Sequence, residues 1–263
     1  MKRVLVKLNT IINNDVLQAL KELPNECVDC IVTSPPYWGL RDYGVGGQIG
    51  LEPTLQGYLD KMAKITTELK RVLKPTGVLW WNHGDCYGGS GCGKNDYRNN
   101  NKRSLSVPKL YCDKPNPQLC LTPKCKVLQN YRLVLRMVDE QGWILRNNII
   151  WHKPNHMPSS AKDRLATSYE PVFMLVKNKK YWFDLDAIRQ PHKKESINRT
   201  KYGWHGKLCK NHAMAGVKNK ERMETCHPLG KNPGDVWKIA TQPFPEAHFA
   251  TFPEKLIEPM VKV

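Results

Sequence analysis

The segment Thr-Ser-Pro-Pro-Tyr-Trp at residues 33–38 places hydrogen-bond acceptors beside two aromatic side chains. A proline fixes its own φ at about −65°, has no N–H group and disfavours the α conformation in the preceding residue. The consecutive Pro35 and Pro36 therefore predict a stiff, extended hook at residues 34–37, whose carbonyl groups point outward without neighbouring donors. The Ser34 side chain and the Pro35 carbonyl are the candidate acceptors for a planar amino group.

An exocyclic amino group held by two acceptors would be prepared for methylation. Its lone pair is delocalised into the ring, and acceptors on both N–H bonds favour a pyramidal nitrogen that can attack a sulfonium methyl group. A paired base must leave the duplex before such chemistry. Tyr37 and Trp38 are therefore predicted to stack on the extruded base. A proline-rich turn or a polyproline ligand is the alternative, but such segments favour exposed, polar surroundings.

The apolar run at residues 28–33 precedes the hook and is bounded by turn residues, which predicts a buried β-strand. In open α/β sheets, ligands bind outside the carboxyl ends of the strands, and the hook lies at such an end. A helix is predicted from about Asp15, with Val16, Leu17 and Leu20 on one face.

Hydrophobic periodicity predicts the remaining elements. Helices are expected at about residues 55–73 and 128–141 and from Pro253 onward, strands at residues 4–8, 78–81 and 143–151, and a hairpin formed by residues 170–176 and 181–183. Strands that alternate with helices predict an α/β fold with a largely parallel sheet and helices on both faces.

The charge balance points to a polyanionic partner. The 263 residues include 41 Lys and Arg against 24 Asp and Glu, a formal net charge of +17. Such an excess attracts nucleic acid, and it also suits anionic membranes. The sequence has no long apolar run, signal peptide or basic amphipathic helix to support membrane binding. The chain is therefore predicted to be soluble and cytoplasmic, with nucleic acid as its partner.

Two segments depart from the periodic pattern. Residues 86–120 are rich in Gly, Asn, Lys and Pro, which predicts a flexible insertion. Residues from about 186 to 235 contain eleven Lys or Arg against five acidic residues. The functional interpretation of this basic region is a surface that grips the phosphate backbone, and the alternative is a solvated, partly disordered loop. The candidate DNA-binding residues in it are Lys193, Lys194, Arg199 and Lys201.

The nine cysteines do not predict a disulfide framework, because their number is odd and no secretory signal precedes them. Cys27 and Cys30 have redox or zinc spacing, but they run into an apolar strand where cysteine is an ordinary buried residue. A zinc knuckle would need paired spacing, which is missing from the remaining candidates, His83, Cys86, Cys92, Cys112, Cys120 and Cys125. No metal site is predicted.

The hook at residues 33–38 resembles the catalytic motif of the β-group DNA amino-methyltransferases, which comprise N4-cytosine and N6-adenine enzymes. Further segments resemble this family in the same order, at residues 14–17, 71–77, 148–155, 168–173, 234–237 and 248–256. The resemblance covers most of the chain outside residues 86–120 and the basic region. It implies one methyltransferase domain over residues 1–263, whose variable parts include the target-recognition region.

The resemblance implies a Rossmann-like methyltransferase fold, S-adenosylmethionine as the methyl donor and double-stranded DNA as the substrate, as in restriction-modification systems. Ser34, Pro35, Pro36 and Tyr37 would form the catalytic loop. Asp15 would bind the cofactor adenosine, and the segment from His248 to Pro253 would line its methionine end. The implied cofactor-binding residues are Asp15, Thr33, Ser34, His248, Phe252 and Pro253.

Serine at position 34, where other members of the family carry aspartate, resembles the N4-cytosine subset more than the adenine subset. The motif does not separate the two classes cleanly, so adenine N6 remains the alternative target. A further alternative is methylation of RNA or of a protein amide, because the hook suits any planar amino group.

The family pattern also places a strand and an F-x-G-x-G cofactor loop after the terminal helix, and the sequence ends at Val263 before them. The glycine-rich residues 88–93 do not substitute, because they lie in the polar insertion and no helix follows. The sequence therefore predicts either a fragment or a chain that a second polypeptide completes. A DNA-binding remnant without catalysis is the alternative.

Overall fold

A computed structural model describes residues 8–40, 44–88, 124–201, 226–244 and 251–263, with side chains except at 199–201. The predicted strand at residues 4–8 and the predicted insertion at 86–120 lie almost entirely outside the described residues. Within the described ranges, no helix combines the length and apolar composition needed to cross a membrane.

In the part of the chain that the structure describes, five strands form one mixed sheet. They are β1 (Val28–Thr33), β2 (Leu73–Asn82), β3 (Ile144–His152), β4 (Tyr169–Val176) and β5 (Val236–Lys238), in the order β1-β2-β4-β3-β5. The β1/β2 and β3/β5 pairs are parallel, whereas β4 is antiparallel to both of its neighbours. The predicted α/β class is confirmed, but the prediction of a largely parallel sheet was wrong. No helix joins β3 to β4, and without a crossover two adjacent strands pair antiparallel.

The described helices are α1 (Val16–Glu22), α2 (Leu55–Val72), α3 (Gln129–Asp139), α4 (Lys194–Lys201) and α5 (Glu254–Lys262), with a 3₁₀ turn at Asp186–Ile188. All of them agree with predicted helices except α4, which lies in the basic region and was not predicted. The Asp15 side chain begins α1 by accepting hydrogen bonds from the backbone N–H groups of Leu17 and Gln18. Thr54 Oγ1 caps α2 by accepting from Gly57 N at 3.0 Å.

The main core lies between the helices and the central strands. One face of α2 contributes the buried Tyr58, Met62 and Leu69, which belong to the same cluster as Trp81 of β2 and Phe173 of β4. Every β4 residue from Pro171 to Val176 is buried, and β4 is the central strand of the described sheet. This core fixes the ends of β2 and β4, which matter for the site.

β1 was predicted to be buried, and it is instead the edge strand of the described sheet. Its central Asp29 and Cys30 are exposed, and Asp29 forms an ion pair with Lys74 at 2.8 Å. The prediction failed because an apolar run reveals a strand but not its place in the sheet. Edge strands tolerate charged side chains, and charges there discourage further pairing.

The predicted hairpin of residues 170–176 and 181–183 was also wrong. Residues 181–183 form no strand, and Trp182 N–H donates to the Thr76 carbonyl at 3.0 Å. The lysine-rich residues 177–180 follow β4 as bends, and Lys177 Nζ donates to the Leu73 carbonyl at 2.7 Å. The partner that periodicity assigned to β4 is therefore replaced by β2 and β3.

The chain divides into two compact units. The first comprises Met1–Trp182 and Asp235–Pro253 and contains the sheet with α1, α2 and α3. The second comprises Phe183–Gly234 and Glu254–Val263 and contains α4 and α5. The first segment of the second unit nearly coincides with the predicted basic region. Its Lys193 and Lys194 are exposed, whereas the side chains of Arg199 and Lys201 lie outside the described part. DNA binding by these four residues stays a prediction.

Candidate active site

The hook lies at the end of the sheet where the termini of several strands meet. β1 ends at Thr33, β2 ends at Asn82 and β3 ends at His152, and the antiparallel β4 begins at this same edge. A cavity of about 970 Å³ opens there within the first unit. It is lined by Ser34, Pro35, Pro36, Tyr37, Leu40, Asn82, Trp151, Lys153, Asn155, His156, Met157, Thr167, Glu170, Thr241, Gln242, Pro243, Phe244, Thr251 and Phe252.

A chain of buried hydrogen bonds anchors the hook to the core. The Trp81 indole N–H donates to His83 Nδ1 at 3.3 Å, so His83 accepts there and its other nitrogen, Nε2, carries the proton. Nε2 lies 3.1 Å from the Tyr58 hydroxyl, which donates to the Pro36 carbonyl at 2.9 Å. The prediction that the hook carbonyls have no neighbouring donor was therefore wrong for Pro36.

His83 is neutral, and in this state its ring supports the chain of hydrogen bonds. Its ring is fully buried, and burial lowers the pKa of its imidazole to about 3, because the charged form would lose its hydration. A neutral ring supplies one donor and one acceptor, which the Trp81 and Tyr58 contacts use. His83 therefore supports the hook and is not a candidate proton carrier at neutral pH.

Tyr37 is the centre of the polar network at the cavity. Its hydroxyl oxygen lies 3.1 Å from Ser34 Oγ, 3.2 Å from Glu170 Oε2 and 3.4 Å from Asn82 Oδ1. Its ring stacks on His83, with the centroids 5.1 Å apart and the planes at 27°. Burial chiefly, and the charge of Glu170 in addition, raise the pKa of Tyr37 well above its usual range. The phenol is therefore protonated at neutral pH.

The contacts of Tyr37 fix the direction in which Ser34 can donate. A tyrosine hydroxyl has one proton, and the Glu170 carboxylate and the Asn82 amide oxygen both only accept. Tyr37 therefore donates to one of these two groups. The Ser34 proton must then point to the Tyr37 oxygen. This leaves the Ser34 lone pairs free to accept a hydrogen bond from a ligand in the cavity.

Glu170 and Lys153 form an ion pair on the cavity wall. Lys153 Nζ donates to Glu170 Oε1 at 2.5 Å, and both side chains are largely shielded, with 18% and 24% of their surfaces exposed. The Lys153 ammonium also lies 4.1 Å from the centroid of the Trp151 ring. The pair occupies one oxygen of Glu170 and leaves the other, Oε2, to the Tyr37 hydroxyl.

Asn82 is held in one orientation at the end of β2. Its side chain is 3% exposed, and its Nδ2 donates to the Pro171 carbonyl at 3.1 Å. This contact assigns the amide so that Oδ1 faces the Tyr37 hydroxyl. Asn82 therefore adds a neutral acceptor beside the Glu170 carboxylate.

Trp38 does not belong to the cavity, which contradicts the prediction that it stacks on a base. Its side chain is 2% exposed, and its indole N–H donates to the Glu52 carbonyl at 2.8 Å. Its backbone N–H donates to Gln129 Oε1 at 2.7 Å. Tyr37 faces the cavity, whereas Trp38 begins the turn at residues 38–40 and enters the core.

The predicted cofactor residues are only partly brought together. Ser34 and Phe252 line the cavity, and the buried Pro253 follows directly. Among the described residues, Asp15 and Thr33 do not line it: Asp15 caps α1, and Thr33 pairs with Trp81 in the sheet. His248 lies outside the described residues. The roles of all six toward a cofactor stay predictions.

Sequence reasoning missed Asn82, Lys153 and Glu170 as site residues. Each stands at a strand terminus: Asn82 ends β2, Lys153 directly follows β3, and Glu170 is the second residue of β4. The first two could have been found from predicted strand ends. Glu170 required the antiparallel direction of β4, which brings the start of that strand to the edge where the other strands end.

Comparison with known proteins places this site in a family. A family model for N6/N4 DNA methylases matches residues 28–263. The Type II methyltransferase M.Cfr9I of Citrobacter freundii is 38% identical over 252 residues, which are 96% of this chain and 71% of that protein. The Type II methyltransferase M.SmaI of Serratia marcescens is 36% identical over 247 residues, which are 94% and 72% of the two proteins. The chain belongs to the N6/N4 DNA methylase family.

The fold agrees with this assignment. The cytosine-N4-specific PvuII DNA methyltransferase superposes with a TM-score of 0.55 and 18% identity, covering 95% of this chain and 67% of that one. The predicted resemblance to DNA amino-methyltransferases and the predicted methyltransferase fold are thereby confirmed. S-adenosylmethionine is the methyl donor of this family, as the resemblance implied.

Proposed function

We propose that this chain methylates the exocyclic N4 of cytosine in duplex DNA, with S-adenosylmethionine as the donor. The observation that carries the proposal is the position of Ser34, which lines the cavity with its Oγ 3.1 Å from the Tyr37 oxygen. Donation of the Ser34 proton to Tyr37 would leave the Ser34 lone pairs as a neutral acceptor for a ligand. The Pro35 carbonyl supplies a second acceptor, because no donor among the described residues forms a hydrogen bond with it.

The cavity suits the cofactor in size and lining. Pockets for ligands of this size have volumes of about 300–1,000 Å³, and the cavity of about 970 Å³ lies at the upper end of that range. Thr251, Phe252 and Ser34 line the cavity, where Thr251 and Phe252 would hold the cofactor and Ser34 would border both ligands. When bound, S-adenosylmethionine supplies an electrophilic methyl group. The remaining chemistry belongs to the amino group and to the residues that hold it.

Ser34 Oγ and the Pro35 carbonyl accept hydrogen bonds from the two N–H groups of the cytosine amino group. These contacts draw the nitrogen lone pair out of conjugation with the ring. Methyl transfer would break the sulfonium S–CH₃ bond, leave a neutral thioether, and place a positive charge and one proton too many on the cytosine nitrogen. That proton passes to Ser34 Oγ, the Ser34 proton passes to the Tyr37 oxygen, and the Tyr37 proton passes to Glu170 Oε2. The product amine is then neutral, and Glu170 is a neutral acid beside Lys153. Solvent removes this proton before the next turnover.

Tyr37 would also contact the extruded base. His83 covers one face of its ring, so a base would stack on the other face. The hydroxyl contacts to Ser34 and Glu170 hold the ring in place for that role. Aromatic stacking on a base is tolerant of its identity, so Tyr37 alone does not select cytosine.

The cytosine preference has two supports. A serine hydroxyl at position 34 is a neutral acceptor, and the cytosine-N4-specific enzyme named above has the same fold. The Type II methyltransferases named above support site-specific methylation of duplex DNA. Adenine N6 is the second candidate, because the matching family includes enzymes of both kinds.

The test is to identify the methylated nucleoside. Duplex DNA is incubated with the chain and S-adenosylmethionine labelled in the methyl group, then digested to nucleosides and separated. The chain is assayed alone and with an added polypeptide that carries an F-x-G-x-G segment. Labelled N4-methylcytosine is the expected product, and N6-methyladenine would replace the first candidate with the second. Cofactor binding without a labelled base in either assay would contradict both.

A further inference from the structure

The first unit carries a second surface, outside the cavity, that combines cations with aromatic rings. It consists of Tyr87, Lys124, Lys126, Arg164 and Tyr169 and is called the basic ribbon here. None of these residues lines the cavity among the residues that the structure describes. Lys124, Arg164 and Tyr169 are exposed, and Tyr87 and Lys126 are half-buried.

Backbone hydrogen bonds hold the basic ribbon in shape. Tyr87 and Lys126 form an antiparallel bridge. Gly88 N–H donates to the Cys125 carbonyl at 2.8 Å, and Lys124 N–H donates to the Gly88 carbonyl at 3.0 Å. Lys124 and Lys126 therefore project from a paired backbone, which reduces the entropy lost when they bind a ligand, whereas Arg164 lies in the bend at residues 162–164.

Arg164 is arranged to bind an anion through the N–H groups at the edge of its guanidinium plane. Its guanidinium carbon lies 3.7 Å from the centroid of the Tyr87 ring, the distance of a stacked contact. Stacking uses the planar face of the guanidinium and leaves its N–H groups at the periphery. Those groups form a fork that matches a phosphate in two parallel hydrogen bonds. Lys126 lies between Tyr87 and Tyr169, with Nζ 5.8 Å from each ring centroid.

The carboxylates near these cations are already engaged. Asp163 pairs with Lys124 at 2.7 Å. Asp85 accepts from Gln129 N at 3.3 Å, at the start of α3. The charge of Lys126 acts on Asp85 and that of Arg164 acts on Asp163, but within the described residues neither carboxylate forms an ion pair with either cation. Lys126 and Arg164 can therefore still form direct contacts with an external anion.

The basic ribbon also adjoins the cavity along the chain. Arg164 precedes Thr167 of the cavity wall by three positions, and Tyr169 is followed directly by Glu170. A polymer whose base enters the cavity would extend its backbone past this region. A regularly spaced polyanion fits the ribbon better than a small anion does, because the cations stand on separate segments of the chain.

We propose that Lys126 and Arg164 bind phosphodiester groups of the duplex DNA whose base enters the cavity. This inference rests on the proposed function, and it assigns the contact to the first unit, whereas the predicted Lys193, Lys194, Arg199 and Lys201 belong to the second. Phosphate contacts supply affinity and register without reading the sequence. The basic ribbon would therefore position any duplex and leave the choice of site to other residues.

The test measures how DNA binding depends on salt. Each phosphate contact contributes about 0.9 to the slope of log K against log salt concentration for duplex DNA. The double variant K126Q/R164Q removes both charges and keeps polar side chains at the two positions. It should reduce the magnitude of the negative slope by about 1.8. The matched control is K179Q/K180Q, two exposed lysines beyond the opposite end of β4, which should leave the slope unchanged. Binding is followed by fluorescence anisotropy with the full chain and a labelled duplex.

Two further measurements separate the outcomes. Melting temperatures establish that both double variants are folded, and the control K179Q/K180Q should methylate DNA at the wild-type rate. An unchanged slope in K126Q/R164Q, or an equal loss in K179Q/K180Q, would overturn the inference. A wild-type chain that binds duplex DNA with the larger slope and methylates no base would contradict the proposed function and leave the basic ribbon standing. Duplex RNA that competes as well as DNA would overturn the assignment to DNA.

Discussion

The phenolic oxygen of Tyr37 lies 3.2 Å from Glu170 Oε2, although 133 positions separate the two residues along the chain. The mixed direction of the sheet produces this contact, because β4 runs against β2 and brings its first residues to the hook. The carboxylate and the Asn82 amide oxygen are the two acceptors available to the Tyr37 proton, and donation to either leaves the Ser34 lone pairs free. A residue far from the recognised motif thus sets the chemistry of the motif.

Glu170→Gln should lower turnover by about 100-fold, the lower end of the usual effect of losing a general base. A neutral amide cannot take the proton that leaves the amino group, and Lys153 loses its partner. Single-turnover methylation measures the effect, and the affinities for cofactor and DNA should stay close to those of the wild type. Glu26→Gln is the matched control, because Glu26 also pairs with a lysine, Lys177, at 3.1 Å and is exposed. Equal rates for E170Q and E26Q would contradict the proton path.

Gly84→Ala tests the position of the Tyr37 ring. A Cβ at Gly84 would lie 2.6 Å from Tyr37 Cε2, so the ring would have to shift away from Ser34 and Glu170. Small displacements in an active site cost about 100-fold in rate. G84A should therefore lose turnover on that scale.

The control for Gly84→Ala is Gly46→Ala. A Cβ at Gly46 meets no atom within 4 Å, and alanine there should leave turnover unchanged. Methylation rates and melting temperatures of both variants are compared with the wild type. Full activity of G84A would show that the Tyr37 ring can move without loss of function, contrary to the proposed role of its hydroxyl.

The hook could be predicted from sequence because its properties are local. Two adjacent prolines restrict the backbone whatever surrounds them, and the strand before them has a local pattern. The orientation of Trp38 and the partnership of Tyr37 with Glu170 could not be predicted, because both depend on which elements pack beside the hook. The edge position of β1 was missed for the same reason: strand order is set by long-range pairing, which periodicity does not contain.

Trp38→Phe should destabilise the fold and spare the chemistry. It removes the N–H group that satisfies the Glu52 carbonyl in a buried site, which costs about 1–3 kcal/mol of unfolding free energy. Urea unfolding measures this loss, and turnover of the folded variant should equal that of the wild type. Trp182→Phe, at a side chain that is 69% exposed, is the control and should change neither quantity. A variant W38F with wild-type stability and strongly reduced turnover would restore base stacking as the role of Trp38.

His83 should make the fold less stable in mild acid. Burial lowers the pKa of its imidazole from 6.5 to about 3, so between these values the unfolded chain binds a proton that the folded chain excludes. Stability is therefore full above the unfolded pKa and falls as the pH decreases toward the folded one. Between pH 7.5 and 5.5 the unfolding free energy should fall by about 1.4 kcal/mol, the linkage value for a single group with an unfolded pKa of about 6.5. Urea unfolding at the two pH values measures the fall. The His83 ring resonances should show no titration between these pH values, and a midpoint near 6.5 for that ring would contradict the neutral His83 that supports Tyr58 and the hook.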